Sequence, residues 1–101
     1  MPYELPMIVS FQNKALKRFW SKGDATGIKP EWRTKVRIML TALEALRQPP
    51  DMDMPGFGFH ALTGDLEGRF SISVSRNWRI TFGWSGEDAV SLDLEDYHGG
   101  S

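Results

Sequence analysis

The chain has two histidines, His60 and His98. The second closes the run Asp96-Tyr97-His98, and the arginines Arg69, Arg76 and Arg79 lie between the two. Several chemistries compete for such a set. Two His and an Asp can ligate zinc or iron, yet no HxxxH, HxH or carboxylate cluster falls at ligand spacing. The chain has no cysteine, which removes thiolate metal sites, a thiol nucleophile and disulfides together. A serine hydrolase would need a G-x-S-x-G elbow, and none is present. Metal-free chemistry on a phosphate fits better. Arginine forks hold a phosphoryl group bidentately and offset the charge of its transition state, and a histidine of pKa about 6.5 gives or takes a proton at neutral pH. On RNA the neighbouring 2′-hydroxyl supplies the nucleophile, so no metal-bound water is required and DNA would be spared. The bland reading of either histidine alone is a surface or capping imidazole. What weighs against it is position: both fall at strand edges, close in the topology to Asp96, Tyr97 and the arginines.

The elements that must position these residues are legible from hydrophobic period. Met7 to Phe11 is a short apolar run, read as a buried strand. In "NKALKRFWSKG" Leu16, Phe19 and Trp20 recur at helical spacing, and Gly23 stands where a helix stops. "KPEWRTKVRIMLTALEALRQPP" is the clearest helix. Pro30 suits a first helical position, Trp32, Val36, Met39, Leu40, Leu43 and Leu46 make one stripe, and Pro49-Pro50 forbids continuation. Its opposite face is assigned Arg33, Lys35, Arg37 and Arg47. Residues 51–68 hold five Gly or Pro and no sustained period, and read as a long loop with room for a short strand or turn.

Three strands follow. Phe70, Ile72 and Val74 alternate with Arg69, Ser71, Ser73 and Ser75; Trp78, Ile80, Phe82 and Trp84 alternate with Arg79, Thr81 and Gly83; Val90, Leu92 and Leu94 alternate with Ser91, Asp93 and Glu95. Turns at "SRN" and "SGED" make them antiparallel neighbours. The expected fold is therefore α+β: an N-terminal strand, two helices, then a three-strand antiparallel meander with the helices on one face. The other face is left polar, carrying Arg69, Arg79, the serines and the end of the last strand.

At 101 residues the chain reads as one domain, residues 1–101, able to build a single core. No apolar stretch is long enough to span a membrane, and the first residues lack the basic-then-apolar pattern of a signal peptide, so a cytoplasmic protein is expected. The net charge of −1 hides a split. Residues 1–50 carry nine Lys and Arg against four acids, and residues 51–101 three against nine. A basic front half suits a polyanion or an acidic partner, although a solvated helix face accounts for much of it.

The run "FHALTGDLEGRFSISVSRNWRITFGW", followed by "LDLEDYHGG", resembles the HigB branch of the RelE-like toxin family. Shared features are the His-x-Leu-x-Gly loop at His60, the Gly-x-x-Ser-Ile-x-Val strand from Gly68, the "NWRITF" strand and the closing Asp-Tyr-His. The resemblance implies a toxin of a type II toxin-antitoxin system that cleaves messenger RNA on the ribosome, at the decoding site of the small subunit, without a metal or other cofactor. It further implies a HigA-like helix-turn-helix antitoxin as partner, through which the complex binds operator DNA. Matching positions assign the cleavage site to His60, Asp96, Tyr97 and His98, with Arg79 on phosphate. His60 and His98 are then the proton-transfer pair, Asp96 an orienter or base, and Tyr97 a contact to base or phosphate. Many relatives carry Lys three residues after the loop histidine and Arg inside the Ser-Ile-x-Val strand. Here those positions are Thr63 and Ser73, and Arg69 or Arg76 is expected to replace the charge. Lys14, Lys17, Arg18, Arg33, Lys35 and Arg37 are expected to meet ribosomal RNA phosphates. Two other readings stand beside this one: a module that occupies the ribosome or antitoxin and cleaves nothing, which Thr63 and Ser73 favour, and a ParE-like gyrase inhibitor, in which "EDYH" has no evident purpose.

Overall fold

Asn13 opens the first helix. Its Oδ1 accepts from Leu16 N at 2.8 Å, satisfying a backbone donor that the helix itself leaves unpaired. This is seen in a computed structural model that describes residues 8–96. Helix α1, Lys14–Lys22, buries Leu16 and Phe19. It ends at Gly23, whose N–H returns to Phe19 O while Asp24 N returns to Arg18 O. Pro30 does not begin an α-helix directly: Pro30–Trp32 is a 3₁₀ turn that leads into α2, Arg33–Ala45. The expected stripe is buried as read, with Val36, Met39, Leu40, Leu43 and Leu46 at most 3% exposed.

The outward side of α2 differs from the expectation. With 3.6 residues per turn, Thr34, Ile38, Thr41 and Ala45 point away from the buried stripe, all exposed, Ile38 at 53%. The basic residues lie on the two flanks. Arg33 donates to Ile28 O at 2.9 Å and Arg37 lies 4.9 Å over the Phe19 ring of α1. Lys35, two positions from each, turns to the other flank, and Arg47 falls beyond the helix.

The sheet has four antiparallel strands in chain order: β1 His60–Ala61, β2 Arg69–Ser73, β3 Trp78–Ser85 and β4 Asp88–Asp96. The stretch read as a loop therefore supplies an edge strand, along with 3₁₀ turns at Pro49–Met52 and Gly64–Leu66. The N-terminal run is extended but forms only two parallel bridges, Ile8 to Ala89 and Phe11 to Leu92, rather than a full strand; Met7 lies outside the described residues. Those bridges cover the outer edge of β4, with Val9 N on Ala89 O and Leu92 N on Ser10 O.

One face of the sheet packs on the helices. Ile72, Ile80, Phe82, Ala89 and Leu92 join Leu16, Phe19, Val36, Met39, Leu40 and Leu43 in one apolar cluster. Within β4 the alternation breaks. Thr81 pairs with Asp93 but Gly83 pairs with Val90, so Phe82 alone faces both Ser91 and Leu92, and Ser91 sits at φ 54. This β-bulge moves Ala89 into the core and Val90 to the other face, where continuous alternation had placed Val90 beside Leu92 and Leu94.

Candidate functional site

The second face of the sheet is polar and partly enclosed. Its rows follow from the register: Arg69 with Gly83; His60, Ser71, Thr81 and Asp93; then Ser73, Arg79 and Glu95. His60 is exposed, on the short edge strand next to Ser71, and Arg79 lies in the next row on that face, about 7 Å farther along the strands by β-sheet spacing. The Arg79 Nη1 donates to Gly58 O at 3.2 Å and to Ser71 Oγ at 3.3 Å. The 57–59 segment is brought over the face by Ser73 N donating to Phe57 O. Its fit depends on two small residues. Gly58 has φ +55, and a Cβ there would stand 2.8 Å from Ser73 Oγ. Gly58 thus lies directly against the Ser73 side chain.

Arg69 is engaged inward. Its guanidinium crosses Gly83, where a Cβ would come within 3.6 Å of Nη1, and Nη2 donates to Thr81 Oγ1 at 3.0 Å and Ser91 O at 2.9 Å. The Thr81 hydroxyl, fully buried, in turn donates to Glu95 Oε2. Arg76 is exposed in the β2–β3 turn. That turn is at the sheet end where Trp78 pairs with Asp96, so Arg76 and the end of β4 share one end of the molecule.

Asp96 is exposed and is the Cα partner of Trp78, whereas Glu95 is the partner of Arg79. Side chains alternate along a strand, so Glu95, and not Asp96, shares the face of Arg79 and His60. Sequence reasoning passed over Glu95 although Leu92 and Leu94 on the core face already implied its direction. Tyr97 and His98 lie outside the described residues. Thr63 is exposed ahead of the Gly64–Leu66 turn. Among the described residues, no group of three His, Asp or Glu side chains is placed to hold a metal ion, and no helix is long and apolar enough to cross a membrane.

The helical residues expected to meet phosphate are dispersed. Lys14, Lys17 and Arg18 are exposed on α1, with Arg18 Nε 3.8 Å from Asp24. Arg33 and Arg37 are on the α2 flank that meets α1, and Lys35 is on the other side of the Thr34–Ile38 line. They do not form one continuous face.

An α+β domain with a polar sheet face centred on a fixed arginine is thus the setting for comparison with known proteins. A sequence model described as the RelE-like toxin of type II toxin-antitoxin system HigB matches residues 9–98. The Endoribonuclease HigB of Proteus vulgaris is 37% identical over 92 residues, 91% of this chain and the whole of that protein. Among solved structures, a copper-bound mutant toxin from Helicobacter pylori superposes with TM-score 0.53 at 16% identity, covering 92% of this chain and 96% of that one, which bears on the fold alone. The chain belongs to the HigB-like toxins of type II toxin-antitoxin systems.

Proposed function

We propose that the protein is an endoribonuclease that cleaves messenger RNA on the ribosome, using the RNA's own 2′-hydroxyl as nucleophile. The observation that carries this reading is Arg79, held between Gly58 O and Ser71 Oγ on the sheet face that also presents the exposed His60. A guanidinium held on two acceptors beside an exposed imidazole is a cation positioned in advance for a phosphate. In the reaction the 2′-oxygen bonds to phosphorus and the bond from phosphorus to the 5′-oxygen breaks. The 2′-hydroxyl proton passes to a base, and the leaving oxygen takes one from an acid. His60 and His98 are the proton-transfer pair and Tyr97 contacts a base or phosphate; Asp96, on the opposite side of β4 from Arg79, serves as an orienter at the strand end rather than as a base on the sheet face. Arg76, at the sheet end where β4 finishes, adds charge there. The products are a cyclic phosphate on the upstream fragment and a free 5′-hydroxyl downstream.

The similarity to the Proteus vulgaris endoribonuclease supports RNA as substrate. So small a set of catalytic groups supports the ribosome as the agent that orients the messenger. Lys14, Lys17 and Arg18 on α1 are proposed to contact ribosomal RNA, with Arg33, Lys35 and Arg37 at the margins. The protein then acts in the cytoplasm as one domain over residues 1–101. A HigA-like helix-turn-helix antitoxin neutralises it and carries the complex to operator DNA. Primer extension on a defined messenger in a translating extract tests the reading. New 5′-hydroxyl ends that persist in EDTA, wherever the ribosomes are kept intact, are expected. Gyrase-mediated DNA breaks without new messenger ends would overturn it, and ribosome binding without cleavage would make the protein an occupying module.

A further inference from the structure

We propose that Arg69, Thr81 and Glu95 form a positioning network that holds the β4 bulge and thereby sets where the end of β4 meets Arg79 and His60. The inference rests on the assignment of the polar face as the cleavage site. Three strands are joined by one chain of hydrogen bonds. From β2, Arg69 Nη2 donates both to the Thr81 hydroxyl on β3 and to the carbonyl of Ser91 on β4; from β3, the Thr81 hydroxyl donates to Glu95 on β4.

The two points held on β4 bracket the bulge and the strand end. Ser91 is the residue in the left-handed conformation, and Glu95 precedes Asp96. A bulge residue with positive φ is a place where a strand can change its pairing, and one step of slip would exchange the faces of Glu95 and Asp96. Thr81 is fully buried, so its two hydrogen bonds are made away from water, between a guanidinium and a carboxylate, where charge-assisted bonds are strongest. The Arg69 guanidinium passes over Gly83, where even a Cβ would meet it only at ordinary contact distance. Arg69 is consumed by this work and does not face RNA, the part given to Arg79 two rows along the same face. Glu95 acts on the reaction through the strand that it anchors, so it is a positioning residue.

Cleavage of a defined messenger in a translating extract, with the protein titrated, separates maximal rate from half-saturating concentration. Thr81→Val keeps the shape and deletes the hydroxyl. It is expected to lower the maximal rate about 10- to 100-fold, the scale of a misplaced catalytic group, with half-saturation and the far-ultraviolet circular dichroism unchanged. Thr81→Ser, which restores the hydroxyl, is expected to recover the rate to within about threefold, well inside that loss. If Thr81→Val fails to fold, Glu95→Ala, on a half-buried strand position, decides the question with the same expectation. Full cleavage by folded Thr81→Val or by Glu95→Ala, alongside an inactive Arg79→Ala, overturns the network and leaves the site in place. Full cleavage by Arg79→Ala overturns the site assignment and the network with it.

Discussion

Arg79 and Arg69 lie on the same sheet face, in rows two apart, and are used differently because of what stands opposite each. Arg79 donates to Ser71 Oγ and the Gly58 carbonyl; Arg69 is drawn over Gly83 onto Thr81 and Ser91. Arg79→Ala is expected to lower cleavage about 10²- to 10³-fold, as loss of one preorganised donor does. Arg79→Lys is expected to recover little, since an ammonium cannot hold two acceptors in a plane and still present a fork. Single-turnover rates on ribosome-bound messenger check both. Gly58→Ala tests the support beneath Arg79. The left-handed backbone alone costs a Cβ-bearing residue roughly 1–2 kcal/mol, and the 2.8 Å approach to Ser73 Oγ adds to it. A lower urea midpoint accompanied by slower cleavage is expected; an unchanged rate would mean that the 57–59 segment does not position Arg79.

The helices serve the site by backing the sheet. Leu40 of α2 is completely buried in the shared cluster, so Leu40→Ala is expected to cost about 2–5 kcal/mol in equilibrium denaturation, the range for a truncated core leucine. Asn13 has a local role at the start of α1. Asn13→Ala is expected to cost about 1 kcal/mol and Asn13→Asp close to nothing, because either polar side chain supplies the accepting oxygen. Neither change should alter the rate of the protein that remains folded. The pattern would separate elements that carry the sheet from residues that meet RNA.

Across the molecule, positive charge is concentrated in the front half of the chain while the proposed chemistry sits on the sheet. Replacing Lys14, Lys17 and Arg18 together with Glu is expected to weaken ribosome association and flatten its dependence on salt, because phosphate contacts release counterions. Sedimentation with ribosomes at several salt concentrations would show it. Unchanged association would mean that this side of α1 is solvated only. Residues 8–96 already contain the apolar cluster and all four strands. Deleting residues 97–101 is therefore expected to leave a folded protein that no longer arrests growth. A folded truncation that still arrests growth would remove Tyr97 and His98 from the mechanism.

The amino-acid pattern by itself determined the class of fold, because hydrophobic period is a local property. The 3.6-residue stripe of α2 and the two-residue alternation of β2 and β3 are readable wherever the chain ends up. They also placed Arg69, Arg79 and Ser71 on the face turned away from the helices. The His60 loop and the closing Asp-Tyr-His likewise point to a HigB-like toxin from the sequence alone. What only the tertiary structure decided depends on register between distant segments. Residues 8–11 pair with β4 across some eighty positions of chain, His60 becomes an edge strand only because Ser71 lies beside it, and Arg37 lies over the Phe19 ring because α1 packs beside α2. The bulge at Ser91 was invisible because Val90 is apolar enough to suit either face, and a single extra residue reverses the parity of everything before it. The alternation with Leu92 and Leu94 implied the face of Glu95, but only register against β3 makes it the direct partner of Arg79, because which residues stand opposite one another depends on how two strands pair.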